Sequence, residues 1–167
     1  MTRREFTRAT ALIWATTLAA AAAVAVLPGA ARAVRDAFDF RLGASDSGTW
    51  TEAISYFLAN IRVVAAIFLA AWARARSGPL GLVLDAAVTL MILLNVAAVG
   101  SSVGAYGATA LPFLVHLPLE WAALASGLGC YLAARSSSLC AGTCLSRVLA
   151  ACALLAAAAS VEVYVSG

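Results

Sequence analysis

The sequence predicts an all-α integral membrane protein, a single membrane domain over residues 1–167 that is built as a bundle of five transmembrane helices. Two features of the composition carry this prediction: 63% of the residues are hydrophobic and only 11% are charged. The mean hydropathy is accordingly high, at +0.94. A soluble chain of this length has too little interior to hide so much apolar surface, and a disordered chain would be far more polar.

Each predicted span is an apolar stretch close to the roughly 20 residues that a helix needs to cross a bilayer. The five stretches cover residues 10–27, 56–73, 80–100, 111–134 and 148–165. The long connection between the first two, residues 30–53, mixes aromatic with charged residues. We expect this segment to form a short extracytoplasmic helix or loop that lies on the membrane surface, with a plain solvated loop as the alternative.

The orientation follows from the arginines, which supply all 11 basic residues. If the N-terminus is cytoplasmic, seven arginines fall on the inner side, three fall in the outer segment 30–53, and Arg62 lies within a span. Membrane proteins carry an excess of basic residues on the cytoplasmic side, so the sequence predicts an N-in, C-out topology. The net charge of +3 is too small and dispersed to indicate nucleic acid as a partner.

The N-terminus resembles a twin-arginine export signal, because Arg3 and Arg4 precede an apolar run and residues 31–33 resemble a cleavage site. The apolar run is longer than a usual signal core, and four further spans follow it. We therefore expect the first span to remain in place as an uncleaved anchor.

The four cysteines give no prediction of a metal site or a disulfide. Cys130 and Cys152 lie inside spans, where cysteine behaves as a small apolar residue. Cys140 and Cys144 lie in a predicted cytoplasmic turn over residues 136–146, and two cysteines without histidines are a weak signal for zinc. The cytoplasm also disfavours disulfides. We expect no metal and no other cofactor.

Six polar residues at membrane depth form the predicted site, whose role is either functional or structural. They are Asn60, Arg62, Asn95, His116, Glu120 and Glu162. A helical rise of about 1.5 Å per residue places all six in the outer half of the bilayer, whereas Asp85 lies near the inner end of its span. Because an unpaired charge in the bilayer is costly, we expect Arg62 to pair with Glu120 or Glu162.

His116 and Glu120 are four residues apart and should share one face of a helix. Pro112 and Pro118 predict a kinked or broken helix around them, and broken membrane helices often line a cavity. Three interpretations are open: a structural polar cluster, a transport or proton pathway, and a catalytic site. One histidine and one glutamate are too few ligands for catalytic zinc, and no Walker loop, dinucleotide fingerprint or nucleophile elbow is present, so we predict no enzyme.

Four short motifs occur in order along residues 54–167. They are Asn60-Ile61-Arg62-Val63, the stretch from Leu94-Asn95 to Gly104, His116-Leu117-Pro118-Leu119-Glu120, and Glu162-Val163-Tyr164-Val165-Ser166. This order resembles the stage II sporulation protein M family of bacterial and archaeal integral membrane proteins. The chain departs from the family at Leu117, where a glycine is usual, and at Ala59, where a second asparagine is common.

The resemblance implies a five-span scaffold, which in spore formers anchors peptidoglycan-degrading partners at the septal membrane and is not itself the hydrolase. We therefore expect a non-enzymatic scaffold or assembly protein of the prokaryotic cytoplasmic membrane. Its partners would be the lipid bilayer and other membrane or envelope proteins, and association with further copies of the chain is left open. The alternative is a small transporter or permease subunit with a polar path around His116 and Glu120.

Overall fold

The computed structural model of the protein describes residues 3–38, 49–76, 80–136 and 141–164, and every regular element in these ranges is helical. The elements are α1 (Arg3–Val26), α2 (Ala30–Phe38), α3 (Trp50–Arg74), α4 (Gly81–Tyr106), a 3₁₀ helix (Gly107–Leu114), α5 (Leu117–Arg135) and α6 (Ala141–Tyr164). Five helical segments, containing α1, α3, α4, α5 and α6, are long and apolar enough to cross a membrane. This finding confirms the predicted all-α fold with five spans.

Helix α5 lies at the centre of the bundle, although it is the least apolar of the five spans. In the most apolar stretch of 18 residues in α5, 72% of the residues are buried inside the protein. In the corresponding stretches of the other four spans, 17–22% are buried. Helices α1, α3 and α6 pack around α5, and α4 packs mainly on α1. The core therefore follows α5, and the other helices present most of their apolar surface outward.

Helix α4 is longer than predicted, because the small residues near its end serve packing rather than a turn. The predicted third span ends at residue 100, but α4 continues to Tyr106. A Cβ atom at Gly100 would overlap with the carbonyl oxygen of Thr17 in α1, and one at Gly104 would overlap with that of Ala21. Glycines one turn apart thus let the two backbones touch, as small residues commonly do in membrane helix pairs.

Helix α3 also begins earlier than predicted, at Trp50 rather than near residue 56. A capping box fixes this start: the Thr49 side chain accepts a hydrogen bond from the Glu52 backbone N–H at 3.3 Å, and the Glu52 carboxylate accepts one from the Thr49 N–H at 3.0 Å. Two backbone donors at the helix end are thereby satisfied. Two further turns of helix therefore precede the predicted apolar core of this span.

The long connection between α1 and α3 contains a short helix, which is one of the forms expected for it; the side of the membrane on which it lies stays a prediction. Helix α2 covers residues 30–38, and Gly29, with a φ of 79°, forms the turn between α1 and α2. The Arg35 Nη1 atom donates a hydrogen bond of 2.7 Å to the carbonyl oxygen of Ala105 at the end of α4. This bond attaches α2 to the bundle, and residues 39–48 lie outside the described ranges.

The two prolines of the predicted fourth span mark a broken helix, as expected. Pro112 lies within the 3₁₀ helix, and Pro118 lies in the first turn of α5, where proline costs no hydrogen bond. His116 is the residue immediately before α5. The break therefore falls at the start of the predicted fourth span, and it places His116 directly before the first residue of α5.

The last helix, α6, starts at Ala141, about two turns before the predicted span. The prediction that Cys144 lies in a turn is therefore wrong, because this residue is inside α6. Cys130 is buried in α5, and Cys144 and Cys152 are half-buried in α6. Cys140 lies outside the described residues.

Candidate functional site

Four polar side chains meet at the end of the bundle where α5 begins, and we call them the polar cluster: Asn60, His116, Glu120 and Glu162. His116 and Glu120 flank the start of α5, Glu162 lies in the last turn of α6, and Asn60 lies in α3. These side chains meet because α3, α5 and α6 pack on one another. The cluster thus unites four of the six residues that the sequence singles out.

The geometry of the polar cluster centres on the Glu120 carboxylate. Its Oε1 atom accepts a hydrogen bond from the Asn60 side-chain amide. Its Oε2 atom lies 4.0 Å from His116 Nε2, so the two side chains lie side by side but form no hydrogen bond; His116 itself is just outside the helix, at its N-cap. One ligand atom of His116, one of Glu120 and one of Glu162 all lie within 4.8 Å of one another.

The polar cluster is largely shielded from solvent by protein. His116 is only 9% exposed, and the Glu120 side chain is 14% exposed. Among the described residues, His116 Nδ1 is buried and has no hydrogen-bond partner. The indole nitrogen of Trp121, on the same helix, is also buried without one in this part of the chain. Buried polar atoms are normally paired, so these atoms are exceptions.

Arg62 does not belong to the polar cluster, and the predicted pairing with Glu120 or Glu162 is wrong. The side chain is exposed, and within the described ranges no carboxylate lies within ion-pair distance of it. The reason is helical geometry: Arg62 follows Asn60 by two residues, and residues two apart do not share a helix face. Asn60 faces α5, so Arg62 faces away from the bundle.

Asn95 also lies apart from the polar cluster. It is exposed on α4, and its side-chain amide donates a hydrogen bond of 2.7 Å to the carbonyl oxygen of Met91 in the same helix. The face of α4 that packs on α1 carries Ile92, Val96 and Gly100, which are buried at intervals of one turn. Asn95 lies beside this face, and local bonding satisfies its amide.

Aromatic residues lie next to the polar cluster, toward the ends of α3 and α6, and the sequence reasoning missed them. The rings of Trp50 and Tyr164 meet edge to face with centroids 5.9 Å apart. Tyr56, one turn before Asn60, is 44% exposed. Trp and Tyr concentrate at membrane–water interfaces, so their positions could have indicated where α3 and α6 leave the bilayer.

A second set of charged residues, the Asp85 cluster, lies at the opposite end of α5. The Tyr131 hydroxyl donates a hydrogen bond of 2.6 Å to Asp85 Oδ1. Arg74 Nε and Arg135 Nη2 each lie 3.5 Å from an Asp85 carboxylate oxygen. This arrangement ties the end of α3, the start of α4 and the end of α5 together. Sequence reasoning treated the two arginines only as markers of the inner face.

The middle of α5 separates the two sets of polar residues. Eleven residues from Glu120 to Tyr131 correspond to a helix length of about 16 Å. Leu124 and Leu128 in this stretch are buried, together with Ile67 and Phe68 of α3. A Cβ atom at Gly127 would lie 3.3 Å from the Ile67 side chain, which is a tight contact. The α5 face that packs on α3 is therefore buried and mainly apolar at this level. An apolar cavity of about 480 Å³ lies beside it between α3 and α6 and is lined in part by Val64, Phe68 and Cys152.

Comparison with known proteins adds no relative to this picture. No family model matches the chain, and neither a curated protein nor a solved structure matches it.

Two double-mutant cycles should distinguish the Asn60–Glu120 hydrogen bond, which forms, from the predicted Arg62–Glu120 ion pair, which does not. Asn60→Ala and Glu120→Ala should be coupled by about 0.5–3 kcal/mol, as expected for two groups that share a hydrogen bond. Arg62→Ala and Glu120→Ala should be additive to within about 0.5 kcal/mol. The measurement is the free energy of unfolding in detergent micelles. Coupling of Arg62 to Glu120 as strong as that of Asn60 would contradict this arrangement.

Proposed function

We propose that the protein is a non-enzymatic scaffold or assembly protein of the prokaryotic cytoplasmic membrane. The observation that carries this proposal is the buried, mainly apolar middle of α5, where Leu124 and Leu128 lie between the polar cluster and the Asp85 cluster. A permease needs a path for its substrate across the bilayer, and this packing opposes one. A scaffold needs only a stable bundle with surfaces for partners.

The proposed orientation has the N-terminus in the cytoplasm, following the excess of arginine on that side. In this orientation the Asp85 cluster lies at the inner face, and the polar cluster and α2 lie at the outer face. Helix α2 then forms a partner-binding element outside the membrane, because the bond from Arg35 to Ala105 attaches it to the bundle and leaves Arg32 and Asp36 exposed. The motif resemblance to the stage II sporulation protein M family supports envelope remodelling as the setting.

Site-specific crosslinking in the native host would test the scaffold. A photoreactive residue at Arg32, exposed on α2, should crosslink to a membrane or envelope protein that mass spectrometry identifies as a peptidoglycan-remodelling factor. The matched control is the same residue at Leu149, which is 62% exposed on α6 and should contact lipid. The same crosslinks from both positions, or none from Arg32, would contradict partner binding through α2.

A small transporter or permease subunit is the second candidate, and the burial of His116 beside two glutamates favours it. Purified protein in sealed vesicles would separate the two functions. A scaffold should give no proton flux above that of empty vesicles, and Glu120→Gln should change nothing. Flux that the Glu120→Gln variant removes while its helical content stays intact would establish the transporter and overturn the scaffold.

A further inference from the structure

The polar cluster brings three metal-ligating side chains together from two helices. A ring nitrogen of His116 and one carboxylate oxygen each from Glu120 and Glu162 lie within 4.8 Å of one another. The sequence predicts no metal here, because it offers only His116 and Glu120 at neighbouring positions. The third ligand comes from the far end of the chain, where the last turn of α6 packs beside the start of α5.

The imidazole of His116 lacks the partners that a buried histidine normally has. The residue is 9% exposed, its Nδ1 atom is buried without a hydrogen-bond partner in the described ranges, and its Nε2 atom stays 4.0 Å from Glu120. Buried imidazoles usually donate or accept hydrogen bonds, or ligate a metal. One ring nitrogen lies within 4.8 Å of an oxygen of each carboxylate, so a ligand between the three side chains would be within reach of the imidazole.

The two carboxylates of the polar cluster, Glu120 and Glu162, would also be stabilised by a bound cation. Among the described residues, no arginine lies within ion-pair distance of Glu120 or Glu162, and the nearby Arg62 is exposed and faces away. Two partly buried carboxylates at this separation repel each other, and in the described part of the chain no arginine lies between them. Either a bound cation or protonation would have to compensate this charge.

We propose that His116, Glu120 and Glu162 bind a divalent transition metal ion, with zinc as the best match. One imidazole nitrogen and two carboxylate oxygens form a donor set that zinc accepts, and a fourth position would remain for water or for a partner's side chain. Tetrahedral zinc would hold its ligand atoms about 3.3 Å apart, so the three side chains would draw inward by about 1 Å.

Asn60 acts as a positioning residue for this site. Its amide donates to Oε1 of Glu120 and thereby fixes the orientation of the carboxylate. Such outer contacts orient the ligands of metal sites, and their loss commonly lowers metal affinity by about 10–100-fold. The bound ion would join the start of α5 to the end of α6 at the outer end of the bundle. This role does not depend on the scaffold proposal.

Metal analysis of the full chain, purified in mild detergent, would test the site. After equilibration with zinc and removal of free ion, elemental analysis should find about one zinc ion per chain. Competition with a zinc-binding dye should show that His116→Ala and Glu162→Gln each weaken zinc binding at least about 10-fold, and that Asn60→Leu weakens it in the same direction. Asp36→Asn, an exposed carboxylate on α2, is the matched control and should bind zinc like the unaltered protein.

Circular dichroism of each variant measures its helical content, and it therefore distinguishes a folded variant that has lost zinc binding from a variant that has not folded. Folded, unaltered protein that retains no zinc would overturn the proposal without reference to any variant. Zinc retained equally by folded Glu162→Gln and by the unaltered protein would also overturn it, even if His116→Ala fails to fold. Binding of magnesium or calcium in place of zinc would overturn the assignment of the metal class.

Discussion

Replacing Gly104 with leucine should separate α1 from α4 and give the largest loss of stability of any single change considered. A Cβ atom at this position would already overlap with the backbone of Ala21, and backbone cannot move aside as a flexible side chain can. Overpacking a closely packed interior typically costs about 1–3 kcal/mol, and a leucine against a carbonyl group should reach the upper end of that range. The measurement is the free energy of unfolding in detergent micelles.

Gly142→Leu is the matched control for this prediction. Gly142 lies in the first turn of α6, and a Cβ atom there would meet nothing within 4 Å. The substitution adds the same side chain to a helix without displacing a neighbour, so stability should stay nearly unchanged. Leucine is a better helix former than glycine, so helix propensity alone would not lower the stability of either variant. Similar losses from the two variants would therefore contradict contact between α1 and α4 as the cause of the effect at residue 104.

Replacing Asp85 with alanine should give the second large effect, because it removes the acceptor that three elements share. The Tyr131 hydroxyl would lose its partner, and this residue is only 3% exposed. A buried polar group left without a hydrogen bond typically costs about 1–3 kcal/mol. The positive charges of Arg74 and Arg135 would also lose the carboxylate between them. Thermal unfolding in detergent should therefore occur at a lower temperature.

Two substitutions distinguish the hydrogen bond of Asp85 from its charge. Asp85→Asn keeps an acceptor for Tyr131 and should retain more stability than Asp85→Ala. Asp36→Ala removes an exposed carboxylate from α2 and should leave the unfolding temperature nearly unchanged. If Asp85→Ala proved as harmless as Asp36→Ala, the Asp85 cluster would contribute nothing to the stability of the bundle.

The end of the bundle near which a residue lies could be predicted from the sequence more readily than the helix face on which it lies. Counting along apolar stretches placed all six predicted site residues in the same half of the bilayer, and Asn60, His116, Glu120 and Glu162 do meet at one end of the bundle, whereas Arg62 and Asn95 lie apart from them. Counting residues could not predict the direction in which the Arg62 side chain projects from α3, because that direction depends on which face of α3 packs against α5. Only the arrangement of the neighbouring helices determines that face.

The ends of the helices were harder to predict than their existence. Gly100 and Gly104 are typical of turns in isolation, and their role became evident only when α1 lay against them. The start of α3, by contrast, carried a local signal in Thr49 and Glu52, which form a capping box. Signals within a few residues are thus available in the sequence, whereas contacts between distant helices require the packed structure.

The contact between α1 and α4 also has a consequence for how the chain is made. Because synthesis proceeds from the N-terminus, the α1 surface around Thr17 and Ala21 would gain its partner only after α4 has been made. When α5 follows, α1 and α3 are already present to receive this least apolar span, and α6 then covers its remaining side. If α1 were cleaved off after insertion, as an export signal is, α4 would lose the helix on which it mainly packs. Part of the α5 surface would also lose its contact with the bundle.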